Sequence, residues 1–419
     1  MDVMQRAADL SQPNTAVDVA HQASARRLLG ITLIGFIVIY VLVFFAQKQM
    51  LLAGASDFSF LYAAGHIVDS GQGANVYDYS TQRQAQTQFI EQVSFRKGPL
   101  LYNHAPFELL IYAPLAFFPY RYAVVLWYAL NVAGLFAVPL LLRRSLFLLQ
   151  TEFPYALLVP AFFFPATFAV IQGQDSIVLL ILFTLVFVSL SAKREVRAGG
   201  VLALAMFKPH LVLPLLLVMT VKRRWGFVLA FISTCFALVG VSILLVGWRA
   251  TLYFPAFLVH FNRLPADVAA AYPDKMPNFR GLTYNLLGSH LSLQTSQLLA
   301  ATVSVLSIGF LLLFLWRRPA LSNIDFAMIV TVSLLASYHV NIHDLALLEL
   351  PFYIVADFIS SKGLTRERAA IVIGVLALFV TPHLGISALA IALALLVFAG
   401  GLFQESYRDT ASRAELSTT

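Results

Sequence analysis

Asp57, His104, Asp175, Arg280, His339, His343 and Asp344 have side chains suited to chemistry, and all lie in or beside breaks between apolar runs. Asp57 directly follows the first run. An acid there could act as a general base or cap the next helix, a position Asp favours. His104 and Glu108 are one helical turn apart. They could face one cavity or anchor a helix start. Gln172-Gly173-Gln174-Asp175 joins two apolar runs. A tight turn explains the glycine but requires neither two amides nor an acid, although Asp175 could cap the following helix.

Arg280 offers a planar fork of donors suited to phosphate, and Gly281 lets the backbone come close. The plainer alternative is an arginine paired with an interfacial lipid. His339 and His343 are four apart, with Asp344 adjacent. Two histidines without a third ligand are a weak metal signal, so proton transfer or hydrogen bonding to a leaving phosphate is the better reading. Lys208, inside an apolar segment and before Pro209-His210, is a functional candidate by default. It could contact a lipid phosphate or snorkel to the near interface.

The elements that must position these groups are apolar helices. Runs at 28–47, 121–142, 153–171, 175–192, 226–247, 294–316, 322–338, 345–361 and 384–403 approach the length a spanning helix requires. Shorter apolar stretches lie at 106–118, 198–220 and 369–382. The chain is 59% hydrophobic and 12% charged, about half the charge of a soluble domain. The fold expected is an all-α polytopic membrane protein. Residues 1–27 form a cytoplasmic tail, 28–403 one integral domain and 404–419 a second cytoplasmic tail. The first run is expected to stay as a signal-anchor helix, since residues 1–25 lack a signal-peptide pattern. The single cysteine, Cys235, lies in an apolar run and excludes disulfides and cysteine-metal clusters.

The net charge of +7 is explained by topology and calls for no nucleic acid. Arg26-Arg27, Arg143-Arg144, Lys193-Arg194, Lys222-Arg223-Arg224, Arg317-Arg318 and Lys362 with Arg366 and Arg368 sit in short loops, which stay cytoplasmic. Lys193 and Lys222 then share a side, so 198–220 must cross an even number of times. It is too short for two full spans, and two half-helices meeting at Lys208-Pro209-His210 satisfy the parity. The loops 48–105 and 248–293 face outward together with 172–175, 338–344 and the turn near 382–384. Arg249 and Arg96-Lys97 fall on that side too, against a rule that is only a bias. Phe58, Leu61, Tyr62, Gly65 and Ile67 suggest an amphipathic helix along the membrane surface. Tyr77 and Asp78 read as structural.

YAAGHIVDSGQGANVYD (62–78), YNHAPFELLIYAPLAFFPYRYAVVLWYALN (102–131), GQDSIVLL (173–180), AGGVLALAMFKPHLVLPLLL (198–217), NFRGL (278–282) and SYHVNIHDLALLELP (337–351) keep one motif order. Together they resemble glycosyltransferase family 87, the polyprenyl-phosphate-mannose-dependent mannosyltransferase-like proteins of the GT-C superfamily. The resemblance covers residues 28–400. It implies a GT-C-like bundle of about 10–13 transmembrane or re-entrant helices, the site lying under a long first external loop. It also implies a polyprenyl-phosphate hexose, mannose first, as donor, and a bacterial inner membrane with a periplasmic site. Asp57 matches the acid that GT-C enzymes use after the first helix. Many relatives carry a paired acid there; this chain has Asp57-Phe58, which suits a base without an obligatory metal. Where the family more often shows Ser-Pro, this chain reads Ser337-Tyr338-His339.

The expected reaction is inverting hexose transfer to a hydroxyl of a glycolipid, glycan or protein. Asp57 would take the acceptor proton. Arg280, then His339 or His343, then Lys208 would meet the leaving phosphate. Tyr62, Tyr102, Asn103, His104, Gln174 and Asp175 would bind sugar or acceptor. No metal ligand is assigned. The rival reading, a transporter or flippase, requires ionisable groups at mid-depth in several helices; Lys208, His210, His260 and Asp325 are the candidates, each near a run's end or break.

Overall fold

The computed structural model describes residues 15–89, 100–261, 272–318, 320–383 and 388–418. Every regular element among them is helical, and the chain is an all-α polytopic membrane protein. Residues 1–14, Arg96, Lys97 and the turn residue at 384 lie outside the described residues.

Helix α1 (Thr15–Leu52) contains the 26-residue apolar stretch Arg27–Leu52. At 1.5 Å per residue that stretch is about 39 Å long, enough to cross a hydrocarbon core of roughly 30 Å. Ile31, Ile34, Leu42 and Phe45 point outward from it, as they do on a helix whose solvent is lipid. Next come α2 (Phe58–Asp69), α3 (Tyr79–Thr87), α4 (Leu109–Ala116) and α5 (Tyr120–Leu142). Helix α2 does not turn the apolar face of its pattern outward, for Phe58–Gly65 and Ile67 are all buried within the protein. Its small residues explain the difference: a Cβ on Gly65 would meet the Tyr112 carbonyl oxygen at 2.6 Å. Two helix backbones come that close only over residues without bulk.

The 153–171 run is broken. Short helices Phe153–Ala156 and Leu158–Phe162 precede α6 (Phe164–Gln172), with a 63° bend between them and α6. Phe163 is extended at the bend, and Pro165, which lacks an amide donor, opens the new helix. Helix α7 (Ser176–Ser191) follows, then α8 (Glu195–Leu204) and α9 (Pro209–Val221). The last two are the half-helices required by charge parity. Their break falls at 205–208, where Lys208 has φ −120° and ψ 69°, as a residue before proline does. Glu195 and Arg224, at the two feet of this hairpin, are 2.8 Å apart, so both feet share one end of the bundle.

Helix α10 (Trp225–Phe261) bends at Gly247, whose φ is +78°. The loop expected from 248 is therefore helical to Phe261, since glycine absorbs the turn and lets the helix resume. Then come α11 (Phe279–Leu287), α12 (Leu293–Trp316), α13 (Asn323–Ala336), α14 (Glu349–Lys362), α15 (Ala369–His383) and α16 (Ala388–Thr418). Helix α16 runs through 404–418, where a tail is expected.

Helix α13 is the axis of the bundle, buried from Ile324 to Ala336. At one end Arg318 donates to Asp325 at 2.7 Å and to the Ser406 carbonyl. Lys222 donates to the Arg318 carbonyl, and Arg368 pairs with Glu405 at 3.2 Å. The basic loops of Lys222, Arg318 and Arg368 thus meet at that end. The 14 residues of α13, about 21 Å of helix, carry the chain from this knot to Ser337 and His339.

Candidate active site

The turn between α6 and α7 is fixed at both sides. Gly173, with φ +65°, ends α6: its amide bonds the Val170 carbonyl, and the Gln174 amide bonds the Ala169 carbonyl. This is the paired closure of a Schellman motif. A Cβ on Gly173 would meet Phe58 Cβ at 2.6 Å, so space and backbone both require glycine. Trp127 Nε1 donates to the Gly173 carbonyl at 2.8 Å. The turn then delivers two side chains. Gln174 Nε2 donates to Asp57 Oδ2 at 2.7 Å, while Asp175 turns to the cations described below. Neither acid serves as a helix cap through its side chain, so the capping readings of Asp57 and Asp175 are set aside.

Asp175 enters a buried network of ionic groups. Lys208 Nζ lies 2.5 Å from Asp175 Oδ1, 2.5 Å from Asp344 Oδ1 and 3.2 Å from Ser176 Oγ. Three oxygens thus surround an ammonium with three donors. Lys208, expected beside the leaving phosphate, pairs with two carboxylates of the chain itself. His104 Nδ1 lies 2.7 Å from Glu108 Oε2 and 3.2 Å from Asp175 Oδ2. Tyr112 donates to the other Glu108 oxygen at 3.3 Å. Burial works against a charge on His104, but Glu108 and Asp175 outweigh it and raise the imidazole to about 10. The ligand-type atoms of His104, Glu108 and Asp175 lie within 4.8 Å of one another, close enough to hold a metal ion. Lys208 and protonated His104 already place two positive charges there.

The third part is built from α11 and the segment after α13. Asn278 caps α11 by accepting from the Gly281 amide at 3.0 Å, and its own amide donates to the Ser337 carbonyl at 2.8 Å. That joins the Arg280 helix to the histidine segment. Arg280 is 8% exposed and stacks on Tyr338 at 4.2 Å. Among the described residues its Nε has no hydrogen-bond partner, and Nη1 reaches only Met276 Sδ at 3.9 Å. No carboxylate among the described residues pairs with it. His339 Nε2 contacts the Asn341 amide at 3.2 Å, and burial drives the His339 imidazole down to about 3. His343 is lowered by burial as well, with Asp344 and Asp57 acting the other way. Burial thus favours the uncharged imidazole at both positions. His343 lies in a 3-10 helix, Ile342–Leu348, and His339 precedes it outside any helix, so spacing by four does not align them as on an α-helix.

Two sugar-binding candidates have other tasks. Tyr62 donates to the Phe118 carbonyl at 2.8 Å. Tyr102 is fully buried and donates to the Ala105 carbonyl at 2.9 Å. Asn103 lies half-buried beside His104. Tyr77 and Asp78 are structural: Tyr77 donates to the His104 carbonyl at 2.8 Å, and Asp78 caps α3 through the Thr81 amide. Trp127, Ser176 and Tyr112 escape sequence reasoning, because each reads there as a helix residue. Asn278 carried a usable signal, an asparagine just before a helix start.

One end of this helical membrane bundle thus gathers a carboxylate, two imidazoles and a buried arginine that has no carboxylate partner among the described residues. The model of glycosyltransferase family 87 matches residues 102–337. The chain belongs to that family and is a membrane glycosyltransferase. No curated protein matches it.

Proposed function

We propose that this glycosyltransferase moves a hexose, mannose by the family resemblance, from a polyprenyl-phosphate donor to a hydroxyl of a glycolipid, glycan or protein. Asp57 takes the acceptor proton as the acceptor oxygen bonds the anomeric carbon. The anomeric carbon–phosphate oxygen bond breaks, and the polyprenyl phosphate leaves with the electron pair. A single displacement of this kind inverts the anomeric centre. Arg280 meets the charge that grows on the phosphate, and His339 and His343 donate hydrogen bonds to it. Asn103 and Gln174 face the sugar or acceptor, with His104 and Asp175 behind them. No obligatory metal is assigned.

The buried Arg280 guanidinium, stacked on Tyr338 with no carboxylate of the described residues beside it, carries this reading. Leaving a buried charge uncompensated is costly, and an arriving phosphate supplies the compensation. The gathering of basic loops at the far end supports a cytoplasmic placement for that end and for both termini. The site would then open to the periplasm of a bacterial inner membrane. In purified nanodiscs, wild type should transfer labelled mannose from synthetic polyprenyl phosphate to a cell glycolipid extract. Asp57→Asn should bind donor and not transfer it. Equal transfer by both would remove Asp57 from the chemistry, and transfer only from other polyprenyl-phosphate sugars would move the donor assignment from mannose.

A further inference from the structure

Lys208 joins the two halves of the site without belonging to either. Asp175 is the chain neighbour of Gln174, whose amide holds Asp57 at 2.7 Å. Asp344 is the chain neighbour of His343. Its Oδ2 accepts from the Asn341 amide nitrogen at 2.8 Å, and the Asn341 side chain reaches His339 at 3.2 Å. One ammonium, 7% exposed, lies 2.5 Å from an oxygen of each acid. The backbone holds it there: Pro209 forces Lys208 out of helical geometry at the tip of the α8–α9 hairpin. The segment of the base and the segment of the imidazoles therefore share one cation.

We propose that Lys208 is a positioning residue that sets the spacing between Asp57 and the His339–His343 segment by clamping Asp175 to Asp344. The idea rests on the assignment of those groups to the reaction, but the clamp itself can be tested apart from it. Without the ammonium, Asp344 loses its cation, Asp175 keeps only His104, and the two carboxylates repel across a buried gap. Asp175 and Asp344 move apart and take Gln174 and His343 with them. Misplacement by about 1 Å costs on the order of a hundredfold in rate. Donor affinity is spared, because Lys208 holds carboxylates and not the donor phosphate.

The test compares Lys208→Met, Lys208→Arg and the double variant Lys208→Met/Asp344→Asn with wild type in nanodiscs. For Lys208→Met, kcat should fall about a hundredfold while donor Kd stays within about threefold. The double variant should recover about tenfold over Lys208→Met, because the repulsion is gone; that non-additivity marks a coupled pair. Lys208→Arg keeps the charge and protects folding, and should lose about tenfold in kcat, since a planar fork cannot hold both oxygens from one point. A second readout needs no substrate. Trp127 bonds the Gly173 carbonyl, so its emission reports on the turn. With the other tryptophans replaced by Phe, acrylamide quenching of Trp127 should rise about threefold in Lys208→Met as its buried environment opens.

Donor Kd weakened more than tenfold, with kcat near wild type, would make Lys208 a phosphate contact and overturn the clamp. So would unchanged kcat, or unchanged Trp127 quenching, in a folded Lys208 variant. If wild type uses no polyprenyl-phosphate sugar, the donor assignment fails while the Trp127 measurement still decides the clamp.

Discussion

Gln174 and Asp57, 117 positions apart in sequence, meet through a 2.7 Å hydrogen bond from the Gln174 amide to Asp57 Oδ2. One oxygen of the proposed base is thereby held in place. Gln174→Ala should lower kcat about tenfold to a hundredfold with little change in donor Kd, since it disturbs orientation and not phosphate binding. Gln174→Glu should be worse, because it sets a second carboxylate against the first. Single-turnover transfer kinetics measure both. A Gln174→Ala enzyme at wild-type rate would leave the bond without a role in catalysis.

Gly173 makes that bond possible. Gly173→Ala places a side chain at φ +65° and against Phe58 Cβ. The backbone strain alone is about 1–3 kcal/mol. The melting temperature should drop by several degrees, and transfer should fall further than stability does, because Phe58 adjoins Asp57. Thermal melts and transfer assays on one preparation separate the two effects.

Much of this arrangement is legible in the chain. Charge parity between Lys193 and Lys222 demanded an even crossing, and Pro209 marked where the half-helices meet; the 2.8 Å contact between Glu195 and Arg224 is the outcome. The identities of the partners were not legible. Asp57 and Asp175 each precede a helix and read as caps, because capping is local and can be judged from neighbours. Their actual partners, Gln174 and Lys208, come from distant segments. The α2 pattern misled for a related reason. Helix α4 packs on α2, and an apolar moment does not tell protein from lipid.

Arg280 is the sharpest test of phosphate binding. Arg280→Gln should weaken donor binding about tenfold to a hundredfold, the usual scale for one charged hydrogen bond. Arg280→Lys should recover little of it, since lysine keeps the charge but loses the planar fork and most of the stacking on Tyr338. Donor binding by fluorescence or isothermal titration distinguishes these outcomes. An Arg280→Lys variant binding as tightly as wild type would make the contact a point charge only.

His104 gives a pH signature with a definite sign. Its imidazole is raised to about 10 by Glu108 and Asp175 against burial, above an unfolded value of about 6.5. The stability it contributes is complete below about 6.5 and declines as pH rises through about 10. The melting temperature in detergent should therefore fall between pH 7 and 10. His104→Gln, which keeps a hydrogen-bond donor but cannot titrate, should start lower and lose less over that range. Parallel slopes for both proteins would mean the ion network does not control alkaline stability.

The same network bears on metal dependence. His104, Glu108 and Asp175 have the ligand types and the spacing for a divalent ion, and a chemist shown those three residues alone would add one. Lys208 changes the count. Its ammonium sits 2.5 Å from Asp175, and His104 is protonated at neutral pH by virtue of its raised imidazole. A divalent ion would have to displace the ammonium and strip the histidine proton, because a histidine binds metal only when neutral. Transfer by enzyme dialysed against EDTA should accordingly stay within about twofold of the untreated rate, and added Mg²⁺ or Mn²⁺ should not raise it. A tenfold loss on chelation, restored by one of those ions and abolished in Glu108→Gln, would instead place a working metal among these three side chains.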